Sequence, residues 1–354
     1  MFSEKRYELS LSINYVKDWG LQEAVRELIQ NALDSNSPFE YEFIDDKLML
    51  FSKYSQLSPS SLLLGCSSKD DKDTIGSFGE GYKIALLVLT RLGYPVVFYN
   101  NNVEWRPEFS ESKQYQTKLL SIVENKAATK NEGLTVVIAG LSDSNKESII
   151  DICLQLQNNI GAIKQTSYGD ILLDKPGQLY VKGLFVCKTQ LTYGYNVKPE
   201  YLQLERDRQT VSAFDLKWLT ARMWSETDDL QKVAEYVDEG IADLEYLSSV
   251  SPMLVKEACY QHFVKKHPGK IPVQNQAELQ MYLDRNMTNT VVINSSYYGC
   301  VKESNSYRTS SVAIVPKLPV ELLEEYFSRN KQYMRRLAIV EFKAMLAKAK
   351  SWRG

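Results

Sequence analysis

The sequence predicts an α+β protein, and three stretches carry that reading. Residues 18–35 place Leu21, Ala24, Val25, Leu28, Ile29 and Ala32 at spacings of three and four, which makes one apolar helical face. "YEFIDDKLMLFSK" holds two short strand-like runs around Asp45, Asp46 and Lys47, the pattern of a hairpin. "YPVVFY", "EWRPEF" and "GLTVVIAGL" read as strands of one mixed sheet.

The remaining elements follow in order. Residues 55–75 are rich in Ser, Asp and Lys around an apolar "LLLG", so a mobile segment is expected there. "GSFGEGYK", residues 76–83, is a glycine-rich loop running into the helical pattern "IALLVLTRLG", which stops at Gly93. A second region starts near 145 with a helix over 146–160 and the strands "GDILL" and "GQLYVKGLFVC". It continues through "YLQLERDRQTVSAFDLKWLTARMW" into an acidic, helical stretch at 225–248. From about 250 come "TVVINSSYYGCV", "SVAIVPKLP" and a closing helix from 319 onward. Three regions are therefore expected, 1–144, 145–249 and 250–354.

Composition narrows the functional classes. With 42 Lys and Arg against 44 Asp and Glu, the net charge of −2 gives no whole-surface attraction for nucleic acid or anionic membrane. No apolar run approaches the ~20 residues that span a bilayer, and the N-terminus lacks an apolar signal core. Cys66, Cys153, Cys187, Cys259 and Cys300 are odd in number and scattered, without zinc spacing, which fits reduced thiols. A cytoplasmic protein without a membrane partner is expected. His262 and His267 are too isolated for a zinc site or a catalytic dyad, so surface positions are expected for both.

Two motifs bear chemistry. On the first helix Glu27, Asn31 and Asp34 fall on one stripe opposite the apolar face. That stripe is either a solvated polar face or a site where a carboxylate polarises water one turn from an amide oxygen that holds Mg²⁺. In the second, Gly76, Gly79 and Gly81 let main-chain N–H groups approach an anion at the start of a helix, where phosphate is favoured. No Gly-Lys-Ser/Thr follows, so this is not a Walker A loop, and Ile84 stands where the dinucleotide fingerprint needs its third glycine.

Together, "ELIQNALD" and "GSFGEGYK", about 45 residues apart with a Ser/Lys-rich stretch between, resemble the GHKL ATPases. That family includes type II topoisomerase ATPase subunits, MutL proteins, ninety-kilodalton heat-shock chaperones, MORC proteins and sensor histidine kinases. The resemblance covers residues 18–140 and implies a Bergerat-type α/β sandwich that binds ATP and Mg²⁺. It further implies Glu27 as general base, Asn31 as metal ligand and Asp34 as a supporting acid. Gly76, Gly79 and Gly81 would form the phosphate loop, with Lys83 beside it, and "GCSSK" would bring Ser67, Ser68 and Lys69 to the phosphates from a lid.

The sequence departs from the family at the adenine box. Ser52 falls where an Asp belongs, and Tyr54 and Gln56 replace glycines. Thr135 in "GLTVVIAG" is a candidate for the strand that closes the base pocket, one position off the family spacing. Beyond 165 the chain resembles a transducer-like α/β domain, which implies Lys188, Arg206 and Arg208 as γ-phosphate contacts; a salt-bridged turn is the other reading of "ERDR". The expected function is an ATP-hydrolysing switch that closes a lid and forms a homodimer on nucleotide binding. The alternative is a non-catalytic binding module with changed specificity. The terminal helix, with Lys331, Arg335, Arg336, Lys343, Lys348, Lys350 and Arg353, offers a basic face for DNA or a protein partner. Leu337, Val340, Ala344 and Ala347 would pack its other side.

Overall fold

Two compact units, Met1–Leu219 and Thr220–Gly354, divide the chain in a computed structural model, and the boundary falls inside a helix. The structure describes residues 4–34, 39–53, 55–63, 80–202, 212–310 and 317–351. Residues 64–79, which include most of the segment expected at 55–75 and the whole of "GCSSK", lie outside the described residues, as do Arg206 and Arg208.

The first unit opens with β1 (Lys5–Ser12), α1 (Leu21–Asp34), β2 (Phe39–Ile44) and β3 (Lys47–Ser52), followed by α2 (Gly81–Leu92). Then come β4 (Val96–Asn100), β5 (Val103–Ser112), β6 (Thr117–Lys126) and β7 (Leu134–Ile138). The seven strands form one sheet in the order β1-β6-β5-β4-β7-β3-β2. Every pairing in it is antiparallel, so the expected mixed sheet is corrected. The cause is local, since β2–β3, β4–β5 and β5–β6 are joined by short turns through Asp45, Asn101 and Gln116 with positive φ, and such turns return the chain antiparallel. The fold class is α+β.

The core lies between this sheet and α1 and α2. Ala24, Val25, Leu28 and Ile29 of α1 and Ile84 to Leu89 of α2 are buried with Leu48, Leu50, Phe98, Val136 and Ile138 of the sheet. Glu23 Oε2 accepts the Gly20 N–H at 2.9 Å and satisfies one of the open donors before α1. At the other end of α2, Gly93 takes φ +83° and donates to the Leu89 and Thr90 carbonyls, which stops the helix at the expected residue.

Arg91 on α2 holds the turn that delivers the chain into α1. Its Nη1 donates to the Ile13 and Tyr15 carbonyls at 3.2 and 2.8 Å, and its Nη2 to Val16 and Trp19 at 3.0 and 3.1 Å. Hydrogen bonds from a charged donor are worth ~1.5–3 kcal/mol each before solvent competition. Arg91→Ala is therefore expected to cost ~2–4 kcal/mol in urea unfolding of the full chain. Arg91→Lys should recover only part, because a point ammonium cannot span four carbonyls.

The rest of this unit is α3 (Asp143–Asp151), β8 (Ile163–Thr166), β9 (Gly169–Leu172), β10 (Gln178–Val181), β11 (Leu184–Lys188), β12 (Gly194–Val197) and the first part of α4 (Ala213–Ser225). The strands form a second sheet, ordered β11-β10-β12-β9-β8. The helix expected over 146–160 ends at Asp151. Ile152 and Leu154 instead exchange main-chain hydrogen bonds with Phe185 and Gly183, both at 2.8 Å, so the sheet edge claims this backbone.

The second unit holds α5 (Leu230–Glu239), α6 (Leu247–Val250), α7 (Met253–Lys266), β13 (Ile271–Val273), α8 (Gln276–Leu283) and β14 (Thr290–Val292). It ends with α9 (Ser295–Glu303), α10 (Asn305–Arg308), α11 (Pro319–Asn330) and α12 (Arg336–Ser351). Val233, Val237, Cys259, Phe263, Tyr297 and Val301 are buried in its interior. His262 is not on the surface as expected. Its Nε2 lies 3.0 Å from Asp238 Oδ2, and the side chain is mostly covered. Among the described residues no helix is long and apolar enough to cross a membrane.

Candidate functional site

The two sequence motifs meet at one point. Glu27 on α1 is buried at 1 % exposure, although helical spacing put it on the polar stripe. What covers it is the first residue of α2. A β-carbon on residue 81 would lie 2.2 Å from Glu27 Oε2 and 3.3 Å from Asn31 Nδ2, so any larger residue there would force the carboxylate to shift, and glycine lets the helix start settle onto it. In the first turn of α2 the Lys83 and Ile84 N–H groups both donate to the Glu80 carbonyl at 3.1 Å, and those of Gly81 and Tyr82 head the helix.

The two polar side chains are oriented by their surroundings. Asn31 donates Nδ2 to the Glu27 main-chain carbonyl at 2.7 Å, and the amide oxygen is the atom of that side chain with the chemistry to ligate a cation. Glu27 Oε1 lies 3.7 Å from Arg26 Nη1. Arg26 also donates Nε to the Phe185 carbonyl at 3.0 Å, tying α1 to β11. Its adjacency to Glu27 was the only local signal for this role.

Asp34, at the end of α1, is buried and lies 4.0 Å from Lys182 Nζ in the turn between β10 and β11. Lys182 escaped the sequence analysis, because nothing local links residues 148 positions apart. Lys188, the expected phosphate contact, is exposed at the far end of β11 opposite Gln178, away from that turn.

Lys83 is fully buried, and its Nζ donates to the Leu63 carbonyl while lying 5.5 Å from the centre of the Tyr82 ring. It thus anchors the main chain at Leu63, within the segment expected to be mobile. Tyr82 does the same through its hydroxyl, which donates to the Ser61 carbonyl at 2.6 Å; burial pushes that phenol up to about 12.

The base-pocket candidates separate. On β3, Leu48, Leu50 and Ser52 are buried toward α1 and α2, and Ser52 pairs with Leu134 of β7. Leu134 pairs in turn with Asn100 of β4, whose side chain holds both the N–H and the carbonyl of Leu57 at 3.2 and 2.6 Å. Thr135 pairs with Phe51 and Tyr99, so it points to the opposite face and bonds Asn131. Thr135 therefore lies on the other face of the sheet from Ser52, for side chains alternate along a strand and one position changes the face. Ser67, Ser68, Lys69, Gly76, Gly79, Arg206 and Arg208 lie outside the described residues.

No family model matches the chain. Over 225 residues it is 27 % identical to a protein of Mycoplasma pneumoniae that is described as uncharacterized, a match covering 58 % of this chain and 91 % of that protein.

Proposed function

We propose that the first unit carries a GHKL-type site of Bergerat architecture, which binds Mg-ATP between α1 and the start of α2 and hydrolyses it slowly. The single observation that supports this is the seat of Gly81 on the buried Glu27 carboxylate and the Asn31 amide. A solvated polar stripe would not be covered by the first turn of another helix.

In this proposal Glu27 orients a water at the γ-phosphate and takes its proton. The N–H groups at the start of α2 meet the phosphate oxygens. The Asn31 amide oxygen fits a hard cation, and Mg²⁺ bound there would neutralise charge on the phosphates. Arg26 keeps Glu27 in place, and the Asp34–Lys182 contact holds the end of α1 against the second sheet. ATP binding would close the expected lid and favour a homodimer through the N-terminal segment, with a macromolecular partner downstream.

Ser52 sets the expected base selectivity. A carboxylate accepts from the adenine amino group and repels the guanine carbonyl, whereas a hydroxyl both donates and accepts. Calorimetric titration is expected to give Mg-dependent binding of ATP and GTP within about tenfold of each other. Binding of neither triphosphate would leave the non-catalytic module with changed specificity.

A further inference from the structure

The closing helix is two helices. Residues 331–335 break it, and α12 folds back on α11, with Phe327 stacked on Phe342 at 5.1 Å and 7° between the rings. Ile339 and Leu346 share that side of α12 by their spacing from Phe342. Leu337 and Val340 lie on the other side, where the sequence analysis expected packing. Instead they are 71 % and 60 % exposed, and neither α11 nor α12 contains a buried residue.

The uncovered surface is large for so short a segment. Leu322, Leu323 and Tyr326 on α11 and Leu337, Val340 and Met345 on α12 are all exposed. Large apolar side chains left exposed together on two neighbouring helices mark an interaction site. The hairpin is also zoned by charge, since α11 has Glu321, Glu324 and Glu325 against Arg329, whereas α12 has Arg336, Lys343, Lys348 and Lys350 against Glu341.

We propose that the α11–α12 hairpin binds the same hairpin of a second copy of this chain, closing a four-helix bundle that needs no nucleotide. A twofold axis sets α11 of one copy against α12 of the other, which joins the apolar stripes and opposes acidic to basic zones. Pairing α12 with α12 would oppose like charges. Glu324 and Glu325 already reach Lys350 and Lys317 within one copy. Those carboxylates and Lys350 are substantially exposed, and such pairs are worth little, so sharing them across an interface costs little. This surface is separate from the N-terminal segment of the nucleotide-driven dimer, so failure of ATP binding would leave it untouched.

Sedimentation of the full chain without nucleotide tests it. The wild type is expected to be dimeric at about 10 µM, and Leu337→Glu/Val340→Glu to be monomeric with an unchanged melting temperature. A wild type that stays monomeric to about 100 µM would overturn the proposal and assign the stripe to another occupant. A dimer that survives the double substitution would overturn it as well. Should that variant fail to fold, charge reversal decides. Glu324→Lys/Glu325→Lys and Lys343→Glu/Lys348→Glu should each self-associate at least about tenfold more weakly, and their equimolar mixture should dimerise again. A mixture that stays monomeric overturns the zoned pairing.

Discussion

Glu27→Gln is expected to lower phosphate release by ~100-fold or more while Mg-ATP binding changes only a few-fold. The substitution keeps the volume of a side chain that is 1 % exposed, so packing between α1 and α2 persists. It removes the buried carboxylate that Gly81 seats against, the proposed base. The 3.7 Å contact with Arg26 is weakened, at a cost of ~1 kcal/mol that thermal melting would report separately. Equal phosphate release from wild type and Glu27→Gln would sink the catalytic proposal. Binding measured on the same two proteins would then favour the scaffold alternative only if Mg-ATP is also not retained.

Gly81→Ala sets two effects against each other. Alanine is the better helix former, which would stabilise an ordinary position by ~0.5–1 kcal/mol. Here the new methyl would stand 2.2 Å from Glu27 Oε2, well inside contact distance. The carboxylate cannot swing away cheaply because it is buried, and α2 cannot retreat because Lys83 to Leu89 behind it are buried too. Overpacking of this kind costs ~1–3 kcal/mol, so it outweighs the propensity gain. The expected result is net destabilisation of ~1–2 kcal/mol and a loss of turnover of at least about tenfold. Urea unfolding and phosphate release measure the two parts. A more stable Gly81→Ala protein would mean that the two helices do not meet as described.

Much of the first unit could be read from local pattern. The apolar face of α1, the β2–β3 turn at Asp45 and Asp46, and the end of α2 at Gly93 all follow from interactions within a few residues. The pair of motifs that led to Glu27, Asn31 and Gly81 was legible too, because glycine and carboxylate spacing is a property of short segments. Thr135 was not. Its residue type suited the pocket, but the register of β7 against β3 put Leu134 on the helix side. β1, whose Tyr7, Leu9 and Leu11 alternate with polar residues, carries a strand signal that the sequence analysis did not use, and the apolar, non-alternating β6 emerges as its paired partner.

Long-range contacts account for the remainder. Arg26 with Phe185 and Asp34 with Lys182 join segments about 150 residues apart, and no periodicity encodes such distances. The same limit explains the terminal segment, where helical spacing correctly marked an apolar stripe on Leu337 and Val340 but could not say whether anything covers it. Hydrophobic periodicity is a statement about one element's own geometry, fixed by 3.6 residues per helical turn and two per strand repeat. Which face of a strand meets the helices, which lysine reaches Asp34 and which stripe stays bare depend on how elements pack together. For this chain the local pattern determined the first helix, the start of α2 at Gly81 and the residue types of the proposed nucleotide site. Packing decided that Gly81 closes over Glu27, that Thr135 turns away, and that the last two helices leave an apolar face open.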